Sequence, residues 1–188
     1  MVSLNSIITL SEKVKLKILG LFNADENDFH RKGFQSFFLG TTSFSNNENF
    51  YLRQKNKTCF AKADLIYDIS KNKTLEYSGK FNSTIEKSES RIIFNSAPIF
   101  EKLKDNNELI DQKMVYTNRL KEDKVLIMTF RYISEKTPQN YAINSFFYQD
   151  LFDVESASKV AQSSENKMNF LGFEAHLMNR KISGSVFE

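Results

Sequence analysis

In the segment Glu12-Lys-Val-Lys-Leu-Lys-Ile18, apolar and charged residues alternate without a break. Val14, Leu16 and Ile18 share one face of an extended chain, and Lys13, Lys15 and Lys17 share the other. A helix repeats every 3.6 residues and cannot segregate such a pattern, whereas a strand does so at every step. Leu75, Tyr77, Gly79, Phe81, Ser83 and Ile85 also alternate with polar residues, which predicts a second strand of the same kind. The chain is therefore expected to be strand-rich.

Polar dipeptides and charged clusters predict the breaks. Asn56-Lys57 separates a strand over 49–55 from one over 58–69, residues 70–73 form a turn, and 91–95 close a meander. Met114–Leu120 and Val125–Ile133 read as the arms of a hairpin around residues 121–124. Leu4, Ile7 and Ile8 are spaced for a short helix or an extended arm, and 23–40 reads as a long loop packed by Phe34, Phe37 and Phe38. Ser96-Ala97-Pro98 has the chemistry of a helix start, with Ser able to cap free N–H groups, so a helix is predicted to about Asp111. A second helix is predicted over 154–165, a strand over 141–151, and two strands around Asn179-Arg180. The expected architecture is a single mostly-β domain over 1–188, an antiparallel sandwich or barrel of nine or ten strands with about two short helices.

Composition narrows the function. The 26 Lys and Arg nearly balance 23 Asp and Glu, and a net charge of +3 gives no strong nucleic-acid signal. Arg53, Lys55 and Lys57 beside Phe50, Tyr51 and Phe60 could line a single-strand groove, but a solvated strand face or shielded edge accounts for such lysines more simply. Cys59 is the single cysteine, so no intrachain disulfide forms. The longest apolar runs, Ile18–Phe22 and Val125–Met128, fall short of the ~20 residues of a spanning helix. The amino end lacks the pattern of a signal peptide. A soluble, cytoplasmic protein with no transmembrane segment is the expectation, although leaderless export would leave no trace.

No close-spaced catalytic motif is present. The glycines, at 20, 33, 40, 79, 172 and 184, are too sparse for a dinucleotide fingerprint, a P-loop or a nucleophile elbow. Residues Asp25, Asn27 and onward resemble the start of a calcium loop but place His30 and Ser36 where Gly and Glu belong. Asp111 with Glu122 and Lys124, or Asp153 with Glu165 and Lys167, matches a metal-dependent nuclease spacing, and the match occurring twice shows how little it discriminates. No cofactor or metal is expected. The sequence thus favours a non-catalytic protein-binding or structural subunit of an assembly, with another protein or itself as partner. A barrel carrier for a small apolar ligand and a nuclease-like enzyme are the alternatives. Phe146 and Tyr148, which share one face of a strand, are the candidate partner-binding residues.

Overall fold

The structure, a computed structural model, describes residues 1–94, 97–121, 124–144 and 159–179. These form seven strands: β1 (Val2–Ser11), β2 (Val14–Leu39), β3 (Thr42–Ser70), β4 (Lys73–Phe94), β5 (Ala97–Lys121), β6 (Lys124–Ile143) and β7 (Val160–Asn179). Each pairs antiparallel with the next in chain order, so the sheet is one uninterrupted meander. β3, at 29 residues, is several times the usual strand length.

Two hairpin ends are built differently. At one end, the incoming strand slips register at Leu10, Ile69 and Leu120, just before the chain reverses into β2, β4 and β6. Ser11 and Ser70 accept bonds there from the backbone N–H groups of Lys13 and Asn72. At the opposite end β2 and β3 reverse through Gly40, whose φ of 62° suits a residue without Cβ.

The sandwich or barrel with two short helices is corrected to a single open sheet, with no helix among the described residues. The region read as a helix from Ser96 to Asp111 belongs mainly to β5, whose Ala97–Asp111 segment pairs with Phe94–Lys80 of β4. Its patchy apolar spacing was compatible with either period, and cross-strand hydrogen bonds satisfy the backbone instead. Residues 3–11 are β1, and the supposed loop over 23–40 is the continuation of β2 into its hairpin with β3. Asn56-Lys57 lies inside β3, so polarity there marks no turn. The hairpin of β5 and β6 joins Arg119 to Val125 and Lys121 to Lys124, as its two apolar arms predict. Most of the helix expected over 154–165 lies outside the described residues, but Val160–Glu165 is strand.

Nothing in this sheet amounts to a conventional core. Among the described residues no hydrophobic side chain is buried. The accessible surface is 14566 Å², whereas a compact monomer of 21.9 kDa exposes about 9,300 Å². Much of the excess is apolar: Phe22, Phe173, Leu171 and Leu177 are 48, 64, 69 and 64% exposed.

Candidate functional site

Because paired residues in an antiparallel ladder share a face, the register sorts every side chain to one side of the sheet. Leu16, Leu65, Tyr77, Met114, Phe130 and Phe173 form one continuous cross-strand row. Rows above and below add Ile18, Ala63, Gly79, Tyr132 and Leu171, then Val14, Tyr67, Leu75, Tyr116, Met128 and Ala175. The result is an apolar band across β2 to β7 in which Gln112 is a polar exception. The Tyr77 ring lies over Gly79, where an added Cβ would meet its hydroxyl at 2.7 Å. Glycine there lets an aromatic ring cover the strand.

The band is slanted. Its upper edge lies at Phe22 and Cys59 on β2 and β3, at Phe81 and Ile110 on β4 and β5, and at Tyr132 and Leu171 on β6 and β7. In register terms it descends four residues over five strand spacings, ~13 Å in ~24 Å, which inclines the strands by about 30° to the band's normal. The band's height is then about 20 Å between its outermost Cα levels, and side chains at both rims extend it.

The opposite face at the same level is mixed, with Leu19, Ile66, Val115, Ile127 and Ile133 among charged residues joined by ion pairs. Asp64 accepts a bond from Ser78 Oγ at 2.7 Å and pairs with Lys62 Nζ at 2.7 Å. Asp111 receives both Nε and a terminal nitrogen of Arg131 at 3.0 Å, a bidentate arrangement, with Lys80 Nζ at 3.9 Å. Beside Asp64 lies a depression of about 340 Å³, lined by Lys17, Glu76, Ser78, Lys113, Ile66 and Val115 among others. Lys15 and Lys17, the charged residues of the 12–18 alternation, belong to this face, and β1 pairs with their strand on its outer side.

Above the band, the apolar face becomes charged. Glu26 and Asp28 on β2 pair with Arg53 on β3, and Glu26 also pairs with Lys55. Glu26, followed by Asp28, raises the Arg53 guanidinium above its ordinary range. Higher still, apolar residues occupy the other side, where Phe29 and Phe50 pack edge to face and Leu52, Ile92 and Ile99 share their face. The basic groove suggested by Arg53, Lys55 and Lys57 is therefore split: Tyr51 is on their face, but Phe50 and Phe60 are on the opposite one.

The remaining sequence candidates are not drawn together. Asp111 lies opposite Ile133, and Lys124 is nine residues further along β6 at the hairpin end, ~30 Å away, while Glu122 lies outside the described residues. Asp153 also lies outside them, and Glu165 pairs with Lys167 on β7. Asp25 is in mid-strand, bonded by the side-chain amides of Asn23 and Asn27. Among the described residues no group of three His, Cys, Asp or Glu is placed to hold a metal ion. Phe146 and Tyr148 lie outside the described residues. The alternation at 14–18 and 75–85 is the sequence signal of the band, but the expected sandwich or barrel left open what lies over that face.

No family model matches the chain, and no curated protein matches it. Among solved structures it is similar to the ferric yersiniabactin uptake receptor FyuA from Yersinia pestis, with a TM-score of 0.51 and 13% identity. That likeness covers 93% of this chain and 24% of the receptor, so the chain spans about a quarter of the receptor's length. CarO of Acinetobacter baumannii, at 7% identity over 89% of this chain and 74% of its own, has a TM-score of only 0.19. The single antiparallel seven-stranded sheet thus resembles a stretch of that outer-membrane receptor. This overturns the expectations of a soluble, cytoplasmic chain with no transmembrane segment. They rested on a search for apolar runs, and a barrel crosses a membrane with strands whose apolar residues alternate with polar ones. No described helix is long and apolar enough to cross a membrane, which says nothing about strands.

Proposed function

We propose that this chain is a section of the wall of a membrane-spanning β-barrel, its apolar band against lipid and the Asp64 and Asp111 side toward an aqueous interior. The observation that carries the reading is the uncovered band: about 20 Å tall, slanted by about 30°, rimmed by Tyr67, Tyr116 and Tyr132, and bounded by charged residues. Outer-membrane barrels have an outward apolar band ~25 Å tall with aromatic girdles, strands tilted ~35–45° and a polar interior. A second protein sheet would also bury apolar residues. It would not account for a reverse face carrying ion pairs combined with a band that follows a level plane across tilted strands.

The role is structural and non-catalytic, and its partners are strands. Among the described residues β1 and β7 have one neighbour each, and β2 beyond Phe22 has none on its β1 side. Those edges leave backbone groups for further strands to satisfy, as a membrane requires. The test uses single cysteines at 128, 129 and 130 in a Cys59→Ser background, each labelled with a fluorophore in vesicle-reconstituted chain. Lipid-attached quenchers should act on positions 128 and 130, and aqueous iodide on 129. Equal iodide quenching at all three positions would overturn the barrel reading.

A further inference from the structure

A row of like charges lies just beyond the band. Lys55, Lys87 and Lys104 are directly opposite one another on β3, β4 and β5 and project from the band's face. Such pairs repel, and a sheet tolerates them when something else neutralises them. Glu26 serves Lys55, and Glu89 is taken by Lys102. Lys87 and Lys104 have no ion pair among the described residues. Beside them is a shallow depression of about 480 Å³, whose lining includes Asn140, Ser163 and the small Ala142 and Ala161.

The cations stand four to six residues beyond the slanted edge of the band. Lys55 lies four residues beyond Cys59, Lys87 six beyond Phe81, and Lys104 six from Ile110. On the last two strands Lys136 and Lys167 lie four residues from Tyr132 and Leu171. Glu108 is opposite Lys136, and Glu165 pairs with Lys167, so those two are partly neutralised. These offsets put the belt ~11–17 Å beyond the apolar edge, a distance that flexible lysine stems shorten.

We propose that Lys87 and Lys104, with the depression beside them, bind the phosphate headgroup of an anionic membrane lipid. This rests on the band being lipid-facing. Nucleic acid fits less well, because the cations track the apolar edge and the stacking rings Phe50 and Phe60 face away.

The experiment measures selectivity between spin-labelled phosphatidic acid and phosphatidylcholine around the full chain reconstituted in phosphatidylcholine bilayers. Wild type should prefer phosphatidic acid. Lys87→Gln or Lys104→Gln should lower the preference about five-fold each, as expected for one cation at a charged surface. The pair Lys15→Gln with Lys113→Gln, on the opposite face, should leave it unchanged. Undiminished preference in the Lys87→Gln/Lys104→Gln variant would overturn the site. Loss of preference in wild type on adding millimolar inorganic phosphate, or a single-stranded oligonucleotide, would assign the cations to those ligands instead. An absent preference alongside the alternating quenching pattern would overturn the lipid site alone. Failure of the quenching pattern itself would overturn the barrel and the lipid site together.

Discussion

Phe130 is near mid-height of the band on β6, flanked on its own strand by Met128 and Tyr132 and across the ladder by Met114 and Phe173. The β6 stretch of the band runs from Leu126 to Tyr132, so Phe130 is within ~3 Å of its centre and Leu126 is ~10 Å below it along the strand. A cation on the lipid face of a barrel costs about 2–4 kcal/mol at the midplane and about 0–1 kcal/mol near an interface. Phe130→Ala removes the ring alone, so the difference between Phe130→Arg and Phe130→Ala isolates the cation. That difference should be about 2–4 kcal/mol at Phe130 and below about 1 kcal/mol at Leu126. Thr129, one residue away on the polar face, should give a similarly small difference between Arg and Ala. The assay is urea unfolding of vesicle-inserted protein followed by far-ultraviolet circular dichroism, since the chain has no Trp to report by fluorescence. A flat profile over the three positions, or a larger penalty at 129 than at 130, would refute the assignment of faces.

Three further outcomes follow from the geometry. Asp111→Ala strands Arg131 and Lys80 on the face opposite the band and should destabilise by about 1–3 kcal/mol; a cycle with Arg131→Ala should recover part of this, and additive effects would deny the pairing. Tyr141 donates to Glu101 Oε1 at 3.2 Å, and desolvation followed by that carboxylate raises its phenol above the ordinary 10.0. Its contribution is fully present below the unfolded value and fades as pH rises through the folded one, so above pH 10.0 wild type should lose stability more steeply than Tyr141→Phe; parallel curves would contradict this. Gly40→Val places a β-branched residue at a φ of 62° with open space around it, so it should cost about 1–2 kcal/mol from the backbone alone, while Gly40→Asn should be much milder.

The two strongest alternations in the chain, at 14–18 and 75–85, were legible because a period of two survives in any extended segment. The β5 and β6 hairpin was legible because its charged turn separates two apolar arms. Strand length was not. Asn56-Lys57, the acidic 25–28 segment and the charges of 101–105 have the composition of loops or helix faces, yet each lies where a strand leaves the apolar band. A polar residue there reports a change of surroundings, not a reversal of the chain.

The sequence by itself determined that the protein is built of strands and which residues of a strand share a face. It did not determine what covers each face, because HPHPH describes a strand packed on a protein core and a strand packed on lipid equally well. Only the tertiary structure decided which residues of different strands line up on a common face. Register aligned Leu16, Leu65, Tyr77, Met114, Phe130 and Phe173 into one row with no second layer over it among the described residues, and aligned Asp64 and Asp111 with their cations on the reverse. Slant, like register, belongs to the sheet as a whole: the band descends by a residue or so per strand, and no single segment records the level that its neighbours keep.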